Sequence, residues 1–171
     1  MSIKNIKDMT KDNIIIFTDG SCKNNGQLNA KAGYGIYFPN NELENISETF
    51  TLTPITNQRA ELYAIYQAIK LTLEKYQCNN ITLYTDSLYS INCLTIWIKK
   101  WMTNNWKTYS GKPVKNSDII LMISLYLNDI KYKDKIHFIH VKSHTNNTDF
   151  KSIGNINADK LAIEGANKNI I

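Results

Sequence analysis

Two segments of the chain end in nearly the same words. Ile16-Phe17-Thr18-Asp19-Gly20 and Leu83-Tyr84-Thr85-Asp86-Ser87 each run from apolar residues through a threonine to an aspartate. If both are strands, side-chain alternation puts Asp19 on the face of Phe17 and Asp86 on the face of Tyr84. As parallel neighbours they would present both carboxylates on one face at their carboxyl ends, the edge where open α/β sheets bind ligands. Two further acids, Glu61 and Asp159, are expected in the first turns of helices, where the dipole favours a carboxylate. Taken singly, such acids often serve only a turn or a helix start. Four converging on one point, without neighbouring bases, would repel one another and would need cations. Oxygen-only donors suit Mg²⁺ or Mn²⁺ rather than zinc. Paired hard cations held by carboxylates are suited to phosphodiester hydrolysis, one activating water and the other stabilising the leaving oxygen.

The elements that must carry these acids are legible in outline. Ile14 to Asp19 is β-branched and apolar, a buried strand; Gly33 to Phe38 and Glu44 to Leu52 are two more, separated by the turns at Asn25-Gly26 and Pro39-Asn40-Asn41. Such tight connections predict an antiparallel meander. Thr56 or Asn57 caps a helix from Arg59 to Tyr76, whose apolar stripe is Leu62, Ile65, Ile69 and Leu73. Cys78-Asn79-Asn80 is expected to end it. Ile81 to Asp86 follows as a fourth strand, Leu88 to Trp101 and Ser117 to Leu127 as helices, and Lys135 to Val141 as a fifth strand. A polar loop, Thr145 to Lys151, leads to a last helix from about Asn155 to Asn167. The order predicts an α/β fold with a five-stranded mixed sheet flanked by helices.

Composition narrows the field. The 171 residues suit one domain, and 43% hydrophobic with 20% charged residues can build a core. The longest apolar run near the start, Ile14 to Phe17, is too short for a membrane span. A secretory signal is not expected, since Met1 to Asn13 mixes Lys4, Lys7 and Lys11 with Asp8 and Asp12 and has no apolar core, nor is an Arg-rich transit peptide, since Arg59 is the sole arginine. An intracellular location in cytoplasm, nucleus or a viral setting is therefore the expectation. Cys22, Cys78 and Cys93 form no C-x-x-C pair and point to a reducing compartment. The net charge of +5 has one source: Trp97 to Lys115 holds Lys99, Lys100, Lys107, Lys112 and Lys115 and no acid, while elsewhere bases and acids balance. A basic stretch interleaved with tryptophans is an electrostatic footprint for nucleic acid.

These residues carry a family pattern. Thr18-Asp19-Gly20-Ser21-Cys22, Ala32-Gly33-Tyr34-Gly35, Thr56-Asn57-Gln58-Arg59-Ala60-Glu61, Tyr84-Thr85-Asp86-Ser87, Trp106-Lys107-Thr108, His140-Val141-x-x-His144 and Gly154-Asn155-x-x-Ala158-Asp159 stand in the order of type 1 ribonuclease H. The chain resembles that family from about Ile14 to Lys168, and most of all its eukaryotic-type catalytic domain. The resemblance implies a ribonuclease H-like fold. It divides the chain into an N-terminal arm, 1–12, and a catalytic domain, 13–171. It implies an endonuclease that hydrolyses the RNA strand of RNA/DNA hybrids with two Mg²⁺ ions, Mn²⁺ being an alternative, and leaves 3′-hydroxyl and 5′-phosphate ends. Asp19, Glu61, Asp86 and Asp159 would hold the metals, with Glu61 also near the substrate 2′-hydroxyl. His144 would handle protons or product release.

Substrate contacts follow from the same match. Trp97 and Trp101, four apart on one helix face, would line the groove for the DNA strand or pack in the core. Lys99, Lys100, Lys107, Lys112 and Lys115 would meet phosphates. Thr56, Lys107 and Asn116 match a phosphate pocket; Asn25, Asn57, Gln58 and Asn92 match residues that touch sugars and base edges. The chain departs from the pattern at Pro54, where eukaryotic relatives tend to have arginine, and at Ser143, which replaces a glycine. It is also longer between His144 and Asp159. No separate hybrid-binding domain is expected before Asn13, and a monomer without an obligatory protein partner is expected. A zinc site from His137, His140 and His144 is disfavoured, because a strand turns His137 and His140 to opposite sides. A binding module that has lost catalysis, or a different nuclease on the same fold, are the competing readings.

Overall fold

The computed structural model describes residues 10–143 and 147–168. Five strands form one sheet in the order β3-β2-β1-β4-β5. They are β1 (Thr10–Lys23), β2 (Lys31–Tyr37), β3 (Ile46–Phe50), β4 (Gln77–Thr85) and β5 (Ile136–His140). β1, β2 and β3 pair antiparallel, while β4 and β5 continue the sheet in parallel with β1. The helices are α1 (Asn57–Lys75), α2 (Leu88–Asn92), α3 (Ile98–Thr103), α4 (Ser117–Asn128) and α5 (Phe150–Asn167). Among the described residues, no helix is long and apolar enough to cross a membrane.

The sheet sorts its side chains by the two-residue period. Ile14 and Ile16 of β1 and Ile81 and Leu83 of β4 enter the main core, together with Leu62, Ile65 and Ile69 of α1 and Ile119, Ile120 and Ile123 of α4. The other face carries Phe17 and Tyr84, stacked at 4.7 Å, in a smaller core with Ala158 of α5. Small residues let α5 lie close to the sheet: a Cβ on Gly35 would stand 2.2 Å from the Ala158 carbonyl oxygen.

Several boundaries differ from the sequence expectation, each for a local reason. β1 opens at Thr10, inside the stretch read as an arm, because Thr10 and Lys11 already pair with Gln77 and Cys78. Cys78-Asn79-Asn80 is strand rather than helix stop. The Asn79 and Thr82 side chains donate to Asp12 and Asn13 across the parallel pair, which satisfies a polar run that reads as a turn. The helix expected from Leu88 to Trp101 runs on to Thr103, but a π-helical turn, Cys93–Trp97, separates α2 from α3. β3 is shorter than its expected span. The largest shift is in α5, which starts at Phe150 rather than near Asn155. Asp149 accepts from the backbone N–H groups of Lys151 and Ser152, so the end of the presumed loop is a helix cap.

Candidate active site

Register brings the first two carboxylates together. Phe17 pairs with Tyr84 in the parallel β1/β4 ladder, and Asp19 and Asp86 each lie two residues beyond that pair, on the α5 face. Asp19 is not at a strand end, as expected, but inside β1, which continues with β2 to Lys23. It is β4 that stops, at Thr85, and its ending opens the space beside Asp19.

Glu61 arrives from the opposite face. Gly20 points at α1, and a Cβ there would stand 2.3 Å from the Glu61 backbone nitrogen. Glycine at this one position lets the helix press on the strand and the glutamate reach round to Asp19. Thr56 caps α1 by accepting from the Arg59 N–H, so Glu61 sits in the second turn, not the first. The clearer correction is Asp159: with α5 starting at Phe150, it lies almost three turns inside the helix, beyond the reach of the N-terminal dipole.

One carboxylate oxygen from each of Asp19, Glu61 and Asp86 lies within 4.8 Å of the others. Asp159 stands outside that tight group but lines the same 410 Å³ cavity. Neutral donors hold the acids. The Gly20 N–H donates to Asp19 Oδ1 at 2.7 Å, Asn57 Nδ2 to Glu61 Oε1 at 2.8 Å, and Asn155 Nδ2 to Asp86 Oδ2 at 3.2 Å. The Ser87 hydroxyl donates to Glu61 Oε2. Among the described residues, none of the four acids pairs with a lysine or arginine.

The charge has consequences. Asp19 is pushed from 3.8 up to about 9, first by burial, then by Asp86, Asp159 and Glu61, against the Gly20 hydrogen bond. Glu61 rises from 4.5 to about 7 through burial and Asp86, opposed by the Ser87 hydroxyl. Among the described residues the cluster itself supplies only carboxylate oxygens, with Cys22 elsewhere on the cavity wall, and such a donor set without a balancing cationic side chain fits hard divalent ions.

A 970 Å³ cavity adjoins the first, and Asn57 and Glu61 line both. Asn25, Thr56, Gln58 and Asn116, all expected substrate contacts, line it too. The Asn25 side chain accepts from the Asn57 backbone N–H at 3.2 Å, and Asn116, in a left-handed conformation, donates to the Tyr89 hydroxyl at 2.9 Å. Lys107 is not beside them. It pairs with Pro113 in a short hairpin, and Lys115 is the lysine at the cavity wall. Asn92 lines neither cavity. Trp97 and Trp101 belong to an aromatic row, Tyr89–Trp97–Trp101–Trp106, with centroids 5.8 to 6.4 Å apart. Trp97 is 37% exposed, whereas Trp101 is half-buried against the main core, so the row both packs and faces solvent. Lys99 and Lys100 are exposed beside it. His144 lies outside the described residues. His137 and His140 bond instead to Asn80 and to the Asp86 carbonyl region, with ring nitrogens 3.2 Å from those oxygens.

Sequence reasoning gave no role to Ser87, Asn155 or the Arg59–Asp118 pair. Ser87 had a usable signal, a serine between a strand and a helix, which reads as a cap. Arg59 had none. It is 3% exposed and grips Asp118 of α4 through two hydrogen bonds of 2.8 and 2.7 Å, tying together the helix starts that flank the larger cavity.

Comparison with known proteins agrees with this geometry. Residues 11–167 match the RNase H family model. The chain is 39% identical over 146 residues to a probable ribonuclease H of Acanthamoeba polyphaga mimivirus, covering 84% of this chain and 62% of that protein. It is 40% identical over 153 residues to a ribonuclease H of Clostridium botulinum, covering 88% and 93%. The solution structure of the PFV RNase H domain superposes with a TM-score of 0.65 at 26% identity, covering 90% of this chain and 93% of that one. The chain spans 50% to 62% of the viral, fission-yeast and mammalian relatives it matches. With the acids in place on the matching sheet, the chain belongs to the ribonuclease H family.

Proposed function

We propose that the chain is a metal-dependent endonuclease that hydrolyses the RNA strand of RNA/DNA hybrids. The observation that carries this reading is the Asp19–Glu61–Asp86 cluster, with Asp159 on the same cavity, adjoining a larger cavity that Asn25, Thr56, Gln58 and Asn116 line. Two Mg²⁺ ions, or Mn²⁺, would neutralise the cluster, activate water and stabilise the leaving oxygen. Asp19 and Asp86, fixed by strand register, would hold the metals from the sheet, Glu61 from α1 and Asp159 from α5. Backbone and amide donors already orient three of them, Asp19, Glu61 and Asp86, which supports a site set before substrate arrives. In-line attack at phosphorus would leave a 3′-hydroxyl and a 5′-phosphate.

The groove supplies selectivity. Asn25, Asn57 and Gln58 lie beside Glu61, where sugar and base edges of the cut strand would pass, so the 2′-hydroxyl would be sensed at the metal site. Thr56, Asn116 and Lys115 would take a phosphate of the opposing DNA strand, with Trp97 and Trp101 against its sugars and Lys99, Lys100 and Lys107 on its backbone. Asn92 keeps a proposed contact through its motif position, and His144 a proposed role in proton handling or product release.

The test uses an end-labelled hybrid beside duplex RNA, duplex DNA and single strands, with Mg²⁺, Mn²⁺ or chelator. Only the RNA of the hybrid is expected to be cut, and only with metal. Asp86→Asn is expected to abolish cutting while hybrid binding survives. Full activity of that variant, or cutting of duplex DNA, would refute the reading.

A further inference from the structure

Glu61 is held at both oxygens, and one of the two holds has a support of its own. Oε1 accepts from Asn57, and Oε2 accepts from the Ser87 hydroxyl. Ser87 is 6% exposed, and its oxygen lies 2.9 Å from the hydroxyl oxygen of Ser90, which is fully buried. The Ser90 backbone N–H also donates to Ser87 Oγ, at 3.3 Å.

Counting protons fixes the direction of this chain. A serine hydroxyl has one proton to donate and two lone pairs to accept with. Holding a cation, Glu61 is an ionised carboxylate and an acceptor only, so the single proton of Ser87 goes to Glu61, in line with the Ser87 Oγ–Glu61 Oε2 hydrogen bond. Both lone pairs of Ser87 Oγ then face the N–H and the hydroxyl of Ser90. The Ser90 hydroxyl must therefore be the donor of that pair. The order is Ser90 O–H to Ser87 O–H to the Glu61 carboxylate, with every dipole aligned toward the acid. Such a chain polarises each member and resists rotation of any one hydroxyl.

We propose that Ser90, which touches no metal-binding acid, is a positioning residue that locks the Ser87 hydroxyl onto Glu61 and so presets one carboxylate of the metal site. The proposal rests on the metal-site reading of the acid cluster. Without the Ser90 donor, a lone pair of Ser87 is left unsatisfied in a buried place, and the hydroxyl gains a reason to turn from Glu61. Partners one shell out from a metal carry a substantial share of its affinity, about 10- to 100-fold in typical sites.

The experiment measures Mn²⁺ binding by calorimetry without substrate, and hybrid cleavage kinetics in parallel. For Ser90→Ala, Mn²⁺ affinity is expected to fall by about 3- to 10-fold, below that range because one hydroxyl intervenes. kcat should fall at fixed metal concentration, with the KM for hybrid unchanged, because no groove residue is altered. Ser87→Ala should lose more than Ser90→Ala. Ser90→Thr, which restores a hydroxyl, should recover metal affinity. Ser90→Cys, close in volume but a weak donor, supplies the reading if the alanine variant does not fold, and should show a partial loss. Wild-type affinity in Ser90→Ala or Ser90→Cys, or a rise in KM without a change in metal affinity, would overturn the proposal. Calorimetry separates it from the function reading. A wild type that cuts no hybrid, while Ser90→Ala still weakens Mn²⁺ binding, would leave the hydroxyl chain standing and remove the proposed activity.

Discussion

Replacing Asp19 by asparagine should make the metal-free protein more stable at neutral pH, although it removes a carboxylate proposed to hold metal. In the fold, this carboxyl is raised from 3.8 to about 9 by burial and by Asp86, Asp159 and Glu61. The unfolded chain releases the proton near pH 4 and is stabilised by doing so; the native state holds it until about pH 9. Stability from this group is therefore whole below pH 4 and drains away between those values as pH rises. At pH 7 the unfolded group is about 3 pH units past its midpoint, and at about 1.36 kcal/mol per unit the drain has a ceiling of about 4 kcal/mol. Asparagine has no proton to release. It keeps the shape and an oxygen for the Gly20 N–H, which now reaches Oδ1 at 2.7 Å. The neighbouring acids redistribute part of the load, so the expected gain is smaller than the ceiling, about 1 to 3 kcal/mol. For a domain of this size that is a rise in Tm of roughly 2 to 12 °C. The assay is thermal unfolding in chelator at pH 5, 6, 7 and 8. The gap between variant and wild type should widen at each step upward. Added Mg²⁺ should raise the wild-type Tm more than that of the variant. The matched control is Asp118→Asn. Its carboxyl is held low by the hydrogen bond from Arg59, so that variant should lose stability near neutral pH. An Asp19→Asn protein that melts at or below wild type at pH 7, or a gap independent of pH, would refute the reasoning.

Two further outcomes concern the groove. Replacing Lys99 and Lys100 together by alanine should weaken hybrid binding and flatten its salt dependence, lowering the magnitude of the log–log slope by about 1 to 2 for two lost phosphate contacts, read by anisotropy titrations at several salt concentrations; an unchanged slope removes both lysines from the contact surface. Trp101→Ala should weaken hybrid binding more than binding of duplex RNA, by about 1 kcal/mol or more for a lost ring contact, and lower Tm as well, because Trp101 also packs on the core; equal losses on both duplexes would assign the ring to packing alone.

The acid cluster was legible early because its placement depends on short-range rules. Alternation within a strand sets the face of Asp19 and of Asp86, and two similar strand endings suggested a common edge. The five strands and the cap at Thr56 were legible for the same reason: each is written in a few adjacent residues. Boundaries failed where a distant partner satisfied a polar group. Asn79 and Asn80 read as a turn until Asp12 and His137 are seen beside them. The start of α5 was missed because Asp149 is a surface acid in one dimension and a cap in three. That shift also removed the dipole rationale for Asp159 while leaving the residue at the cavity.

The chain by itself therefore determined which groups are available for chemistry: four acids in motif context, a local basic and aromatic stretch, and the strands that could carry them. Only the tertiary structure decided which oxygens meet. It showed that β4 ends at Thr85, one residue before Asp86, freeing space beside Asp19, and that Gly20 admits α1. It placed Lys115 rather than Lys107 at the groove wall and joined Ser90 to Glu61 through Ser87. The physical reason is range. Periodicity and capping act over one to five residues, whereas the acid cluster requires carboxylate oxygens within 4.8 Å of one another from residues tens of positions apart, and the Ser87–Glu61 hydrogen bond likewise joins residues distant in the chain.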